Sequence, residues 1–137
     1  MKDNKGLTGF KVLGKATLNK GTAFSEDERD QYGLRGLLPP KVLSLELQLE
    51  RSMMNLRRMD NDIARYVFLA AMQSRNERLF YRLLIDNIEE IMPLIYTPTV
   101  GQACQQFCHI YRRPRGLYIS LADRGRVHEV LANWPHR

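Results

Sequence analysis

Met92-Pro93-Leu94-Ile95-Tyr96-Thr97-Pro98-Thr99-Val100-Gly101, with Phe80-Tyr81-Arg82 upstream, is the stretch on which the fold turns. Pro93 ends one helical segment, and Thr97 can cap the next with its hydroxyl. Pro98 suits the first helical position, where a missing N–H costs nothing. Tyr96 then sits just outside a helix N-terminus, where free N–H groups and the positive dipole end favour anions. A phenol held there can give a proton to a carbanion or enolate. The competing possibility is that the ring packs under the helix and does no chemistry.

Working upstream, Leu79, Leu83, Asn87, Ile88 and Ile91 approximate one stripe of a helix from Leu79 to Met92, with Ser74 as its start. Asp60-Asn61-Asp62 caps another, with Ile63, Tyr66, Val67 and Ala70 facing inward. Ser44 caps a third, whose stripe is Leu45, Leu49, Met53 and Leu56. Ser25-Glu26-Asp27-Glu28 is a capping box whose short helix stops at Gly33. Between them Leu37-Leu38-Pro39-Pro40 is a turn that tucks two leucines inward. Residues 1–20, with five lysines and three glycines, read as an extended or flexible lead-in.

Downstream, the Thr97-capped helix runs to about Tyr111, burying Val100, Cys104, Phe107 and Ile110 or Tyr111. The period then changes. Leu117-Tyr118-Ile119-Ser120-Leu121 reads as a short strand, Asp123-Arg124-Gly125 as a turn, and Val127, Val130, Leu131 and Trp134 as a helical stripe. The expected architecture is mainly α: a lead-in over 1–20, a helical domain of five or six helices over 21–115, and over 116–137 the first strand and helix of an incomplete α/β domain. A single strand has no partner, so the chain reads as stopping where a second domain begins.

Composition narrows the function. The 137 residues are 44% apolar and 26% charged, an ordinary globular balance. No apolar run reaches the ~20 residues that span a bilayer, so no membrane partner is expected. The net charge of +6 is split: +4 over residues 1–20, −2 over the middle and +4 over 111–137. Nucleic-acid readers concentrate charge on one folded face, so no nucleic-acid partner is expected. Residues 1–20 resemble neither a secretory signal nor an Arg-rich transit peptide, which favours the cytoplasm, with the mitochondrial matrix as alternative.

Few other side chains suggest chemistry. Cys104 and Cys108 lie four apart with no second pair, which reads as buried, reduced thiols rather than a zinc site. His109, His128 and His136 have no ligand spacing, and Glu89-Glu90 and Asp60/Asp62 read as solvated acids. No metal ligands and no phosphate cradle are visible. Arg51 and Arg75 fall on separate helices; if they converged they could hold a dicarboxylate bidentately, and otherwise they form plain salt bridges. Arg112, Arg113 and Arg115 beside Gly116 read as a domain-edge surface that could meet another subunit.

Five ordered blocks then resemble one family: Leu18-Asn19-Lys20-Gly21-Thr22-Ala23-Phe24, Gly36-Leu37-Leu38-Pro39-Pro40, Arg75-Asn76-Glu77-Arg78-Leu79-Phe80-Tyr81-Arg82, Met92–Gly101 and Arg113-Pro114-Arg115-Gly116-Leu117-Tyr118-Ile119-Ser120. Together they resemble the amino-terminal portion of malic enzyme. The resemblance implies oxidative decarboxylation of malate to pyruvate and CO2 with NAD or NADP and Mg²⁺ or Mn²⁺. It implies that Tyr96 is the general acid that protonates the enolate carbon. It also implies a homo-oligomer, dimer or tetramer.

The family's metal-binding acids, catalytic lysine and dinucleotide fold match nothing in these residues. The chain alone is therefore expected to be inactive, or to pair as a non-catalytic module with full-length subunits. Some animal mitochondrial members bind fumarate through two arginines and a glutamate. Arg51 and Arg75 match the arginines, and Leu43 stands at the glutamate position, so fumarate activation is not expected.

Overall fold

The computed structural model describes residues 6–134, and the regular elements among these are all helical. Among the described residues the α-helices are α1 (Phe10–Leu13), α2 (Glu26–Gln31), α3 (Leu45–Arg57), α4 (Asp62–Arg75), α5 (Glu77–Asp86), α6 (Ile88–Ile95), α7 (Thr99–Gln105), α8 (Phe107–Ile110) and α9 (Val127–Ala132). Two 3-10 turns stand at Gly21–Ala23 and Leu121–Asp123. The mainly α architecture is as expected, with more helices than five or six.

Of the extra helices, α1 lies in the segment read as a lead-in, and two others come from polar breaks within runs read as continuous. Asn87, with φ −134° and ψ 40°, leaves helical geometry and divides α5 from α6, while its Nδ2 donates to the Leu83 carbonyl at 3.1 Å. Pro93, expected to end the helix, instead lies inside α6. The carbonyl it leaves without a donor is that of Glu89, on an exposed turn where water can serve it.

Helix starts follow their caps. Ser25 and Glu28 form the reciprocal capping box. Ser44 Oγ accepts from the Leu47 N–H at 3.2 Å, and Asn61 Oδ1 from that of Ala64 at 2.9 Å. Asn76, not Ser74, starts α5, its Oδ1 accepting from the Leu79 N–H at 3.0 Å. It also ends α4, so one residue makes the corner between two packed helices.

The main core joins Met53 and Leu56 of α3, Leu69 and Met72 of α4, Leu79, Phe80 and Leu83 of α5, and Ile91 and Leu94 of α6. Each buried side chain of this size contributes about 1.5–3 kcal/mol. The α4 stripe read from sequence is displaced: Leu69 and Met72 are buried, while Ile63, Tyr66, Val67 and Ala70 are half-buried. The reason is that α4 is central, touching α3, α5, α6 and α7, so its apolar residues are shared among several neighbours.

A second cluster corrects the reading of the lead-in. Val12, Phe24 and Leu34 are buried, with Leu7, Leu13, Leu18, Tyr32, Leu37 and Leu38 packed around them. Residues 7–18 are therefore packed rather than loose (residues 1–5 lie outside the described residues).

Two buried polar side chains hold this cluster together and fix it to the main core. Arg29 donates from Nε to the Phe24 carbonyl, from Nη1 to those of Pro39 and Pro40, and from Nη2 to that of Thr22. Asn19 Nδ2 donates to the carbonyls of Leu13 and Arg75, bridging to the end of α4. The Glu77 N–H adds a bond to the Ala16 carbonyl at 3.0 Å.

The expected strand over Leu117–Leu121 does not form. Residues 117–120 have no regular structure, Leu121 opens a 3-10 turn, and no strand occurs among the described residues. A strand is held by the ladder of a neighbour, and no second extended segment lies beside this one. A helix does form from Val127, as α9, but it ends at Ala132, short of Trp134, the last residue of the expected stripe.

Candidate functional site

Tyr96 closes α6 and precedes α7. Its N–H donates to the Met92 carbonyl at 2.9 Å, and its own carbonyl accepts from the Val100 N–H at 2.8 Å. The backbone is thus clasped between two helices while the ring projects outward, 65% exposed. Leu94 and Thr99 take the buried positions on either side. The ring therefore does not lie under the helix.

Thr97 does not act as the cap. Pro98 occupies the N-cap position, α7 opens at Thr99, and no side chain caps it. The Val100 N–H, which a Thr97 hydroxyl could have taken, is already used by the Tyr96 carbonyl. What distinguishes the phenol is its open, backbone-anchored position between two helices.

The opposite face of the α7–α8 segment is also unlike its sequence reading. Thr99 and Ala103 form the buried side; Cys104 and Cys108 are exposed free thiols rather than buried ones, and Phe107 is 43% exposed. Gln106 breaks the helix, so α7 and α8 do not share one continuous stripe.

Arg51 and Arg75 are both exposed, and among the described residues neither forms an ion pair. Arg75 lines a groove of about 480 Å³ with Arg112, Arg113 and Arg115; Arg51 does not line it. Arg113 Nη1 donates to the Ser74 carbonyl at 2.9 Å, and Arg115 Nη1 to the Ser74 hydroxyl at 3.2 Å. Sequence reading did not foresee this groove. The signals were the basic run 112–115 and the aromatic residues Phe107, Tyr111 and Tyr118 around it.

The acids read as solvated are surface groups. Arg57 holds Glu90 bidentately at 3.0 and 2.8 Å, and that bond keeps the carboxyl below its ordinary range despite some burial. Asp62 pairs with Arg65 at 2.7 Å. Among the described residues no three His, Cys, Asp or Glu side chains gather as a metal would require. His136 lies outside the described residues.

A family model described as "Malic enzyme, N-terminal domain" matches residues 73–137. The chain is 52% identical to the "NADP-dependent malic enzyme, chloroplastic" of Solanum lycopersicum over 95% of its length. It is 55% identical to the enzyme of the same name from Oryza sativa subsp. japonica, and 54% to "NADP-dependent malic enzyme 1" of Arabidopsis thaliana, again over 95%.

The chain belongs to the malic enzyme family and matches its amino-terminal portion.

It spans 23%, 20% and 22% of the length of those three relatives. The malic enzymes from tomato and rice, and one from Zea mays, are named as chloroplastic. These names overturn the expectation of a cytoplasmic or mitochondrial location. That expectation came from the composition of residues 1–20 alone, a segment of which Leu7, Val12, Leu13 and Leu18 belong to a packed cluster.

Proposed function

We propose that this chain supplies the proton-donating side of a malic enzyme that uses NADP, converting malate to pyruvate and CO2. The observation that carries this is the exposed phenol of Tyr96, anchored between α6 and α7 in one of the five blocks that resemble the family. In this role the O–H bond of Tyr96 breaks as a C–H bond forms at the enolate carbon, and a proton from water restores the phenol. The preference for NADP over NAD is supported by the relatives' names.

The residues present do not fit the divalent metal of the family, because no cluster of suitable ligands gathers among those described. No step is therefore assigned here to metal or dinucleotide, and the 137-residue polypeptide by itself is proposed to be inactive on malate.

The test is Tyr96→Phe in a full-length malic enzyme bearing this region. Loss of the general acid lowers kcat by about 10²–10⁴ while the KM for malate changes little. An unchanged kcat would remove Tyr96 from the chemistry. For the isolated chain, reduction of NADP in the presence of malate and Mn²⁺ would contradict its inactivity.

A second reading has its own observation. Leu121 is 94% exposed, Tyr118 57%, Leu131 52% and Ile119 50%, a concentration of apolar surface at the carboxyl end. It supports a chain that pairs with full-length malic enzyme subunits in a dimer or tetramer. Co-purification of the tagged chain with an intact subunit, lost on Leu121→Asp and Leu131→Asp, tests it; no co-purification rejects it.

A further inference from the structure

The groove between α4 and the segment after α8 has two kinds of lining residue. Four arginines, Arg75, Arg112, Arg113 and Arg115, are among its lining residues, and among the described residues no carboxylate lines it. Phe107, Tyr111 and Tyr118 also line it, with ring centroids 5.6, 5.9 and 6.4 Å apart and planes tilted by 57°, 47° and 76°.

Arg113 and Arg115 are steered into place by Ser74, each spending one N–H on it and keeping the rest of its fork. Ser74 is itself fixed, its hydroxyl donating to the Ala70 carbonyl at 2.9 Å. Arg112 makes no hydrogen bond or ion pair among the described residues, so its whole fork is available.

We propose that this groove binds a planar aromatic phosphate, a ligand of the nucleoside diphosphate class. Four positive charges without a compensating acid call for a polyanion, and the guanidinium fork matches phosphate oxygens in pairs. A simple dicarboxylate would answer the charge but leave the aromatic rings unused. A nucleobase can lie against the rings while the phosphates meet the arginines. The volume of about 480 Å³ lies within the range of small-molecule sites. The proposal is independent of any role for Tyr96, which does not line this groove.

The test is isothermal titration of the 137-residue chain with three probes: ADP, inorganic pyrophosphate and adenosine. ADP is expected to bind at least about tenfold more tightly than either part alone, with affinity falling as salt rises. Arg112→Ala should weaken ADP at least about tenfold, which corresponds to one lost charge-assisted contact. Tyr118→Leu should weaken ADP and leave pyrophosphate unchanged.

Arg35→Ala, remote from the groove, is the control, and circular dichroism confirms that each variant is folded. Absence of ADP binding overturns the proposal. So does equal affinity for ADP and pyrophosphate, or an Arg112→Ala variant that is folded and binds as before. If Arg112→Ala fails to fold, the Tyr118→Leu comparison decides alone.

Discussion

Asn19 and Arg75, fifty-six residues apart in the chain, are joined by a hydrogen bond of 3.0 Å from the Asn19 amide to the Arg75 carbonyl. The same amide nitrogen donates to the Leu13 carbonyl at 2.9 Å, and its oxygen accepts from the Gly21 N–H at 2.8 Å. One buried side chain therefore satisfies three backbone groups and couples the amino-terminal cluster to the end of α4.

Replacing it should be costly in proportion. Asn19→Ala leaves two part-buried carbonyls and an N–H without this partner, an expected loss of about 1–3 kcal/mol. Urea denaturation should show a lower midpoint with an unchanged slope. A midpoint equal to that of the parent would mean that this amide does not join the two clusters energetically.

Arg29 is the second such device, a buried cation met by four carbonyl oxygens at 2.7–3.2 Å. A lysine cannot reproduce the planar fork that reaches Phe24, Pro39, Pro40 and Thr22 together. Arg29→Lys is expected to cost about 2–4 kcal/mol. Arg35→Ala, which removes exposed pairs to Glu26 and Asp30, should change stability far less in the same experiment. Equal effects of the two substitutions would refute the distinction.

Acid should weaken the fold through Glu28. Burial pushes this carboxyl up, but the hydrogen bonds from Lys20 and the Ser25 N–H, with the charges of Lys20 and Arg78, more than offset it. The net result is a value below the ordinary glutamate range. A carboxyl depressed in the folded state adds stability that is present above its unfolded value, about 4.3 for glutamate. That stability disappears as pH falls through the lower, folded value. Thermal unfolding should therefore lose Tm more steeply below about pH 4.3 in the parent than in Glu28→Gln. Parallel curves would show that Glu28 carries no such linkage.

The two thiols offer a direct chemical check. Cys104 and Cys108 are exposed, so both should react with Ellman's reagent in native buffer, without denaturant. Reaction only after unfolding would restore the buried position that their spacing suggested.

Much of the helical framework is legible in local chemistry. Ser25, Ser44 and Asn61 sit where short polar side chains should start helices, and each does so by accepting a backbone N–H. The stripe Leu45, Leu49, Met53 and Leu56 is correctly oriented, because α3 offers one apolar side to the core. Tyr96, placed at a helix junction from its neighbours in sequence, is found at one.

The errors have one origin. Ile63, Tyr66, Val67 and Ala70 make a good stripe, yet Leu69 and Met72 are the buried pair on α4. Cys104 and Phe107 keep a helical spacing, yet Gln106 divides the helix and Ala103 faces inward. Thr97 is a good capping residue whose target N–H had already been taken. In each case a local pattern allowed several arrangements, and competition with other groups, the neighbouring Tyr96 carbonyl in the case of Thr97, selected one.

The order of residues alone determined that this chain is helical, where α2, α3 and α4 begin, and that it belongs with malic enzyme. These depend on interactions within a few positions or on the succession of motifs. The tertiary structure decided which sides are buried, that Asn19 and Arg29 lie inside, and that four arginines and three aromatic rings share one groove. Such facts depend on groups distant in the chain competing for the same space, and no local pattern records that competition.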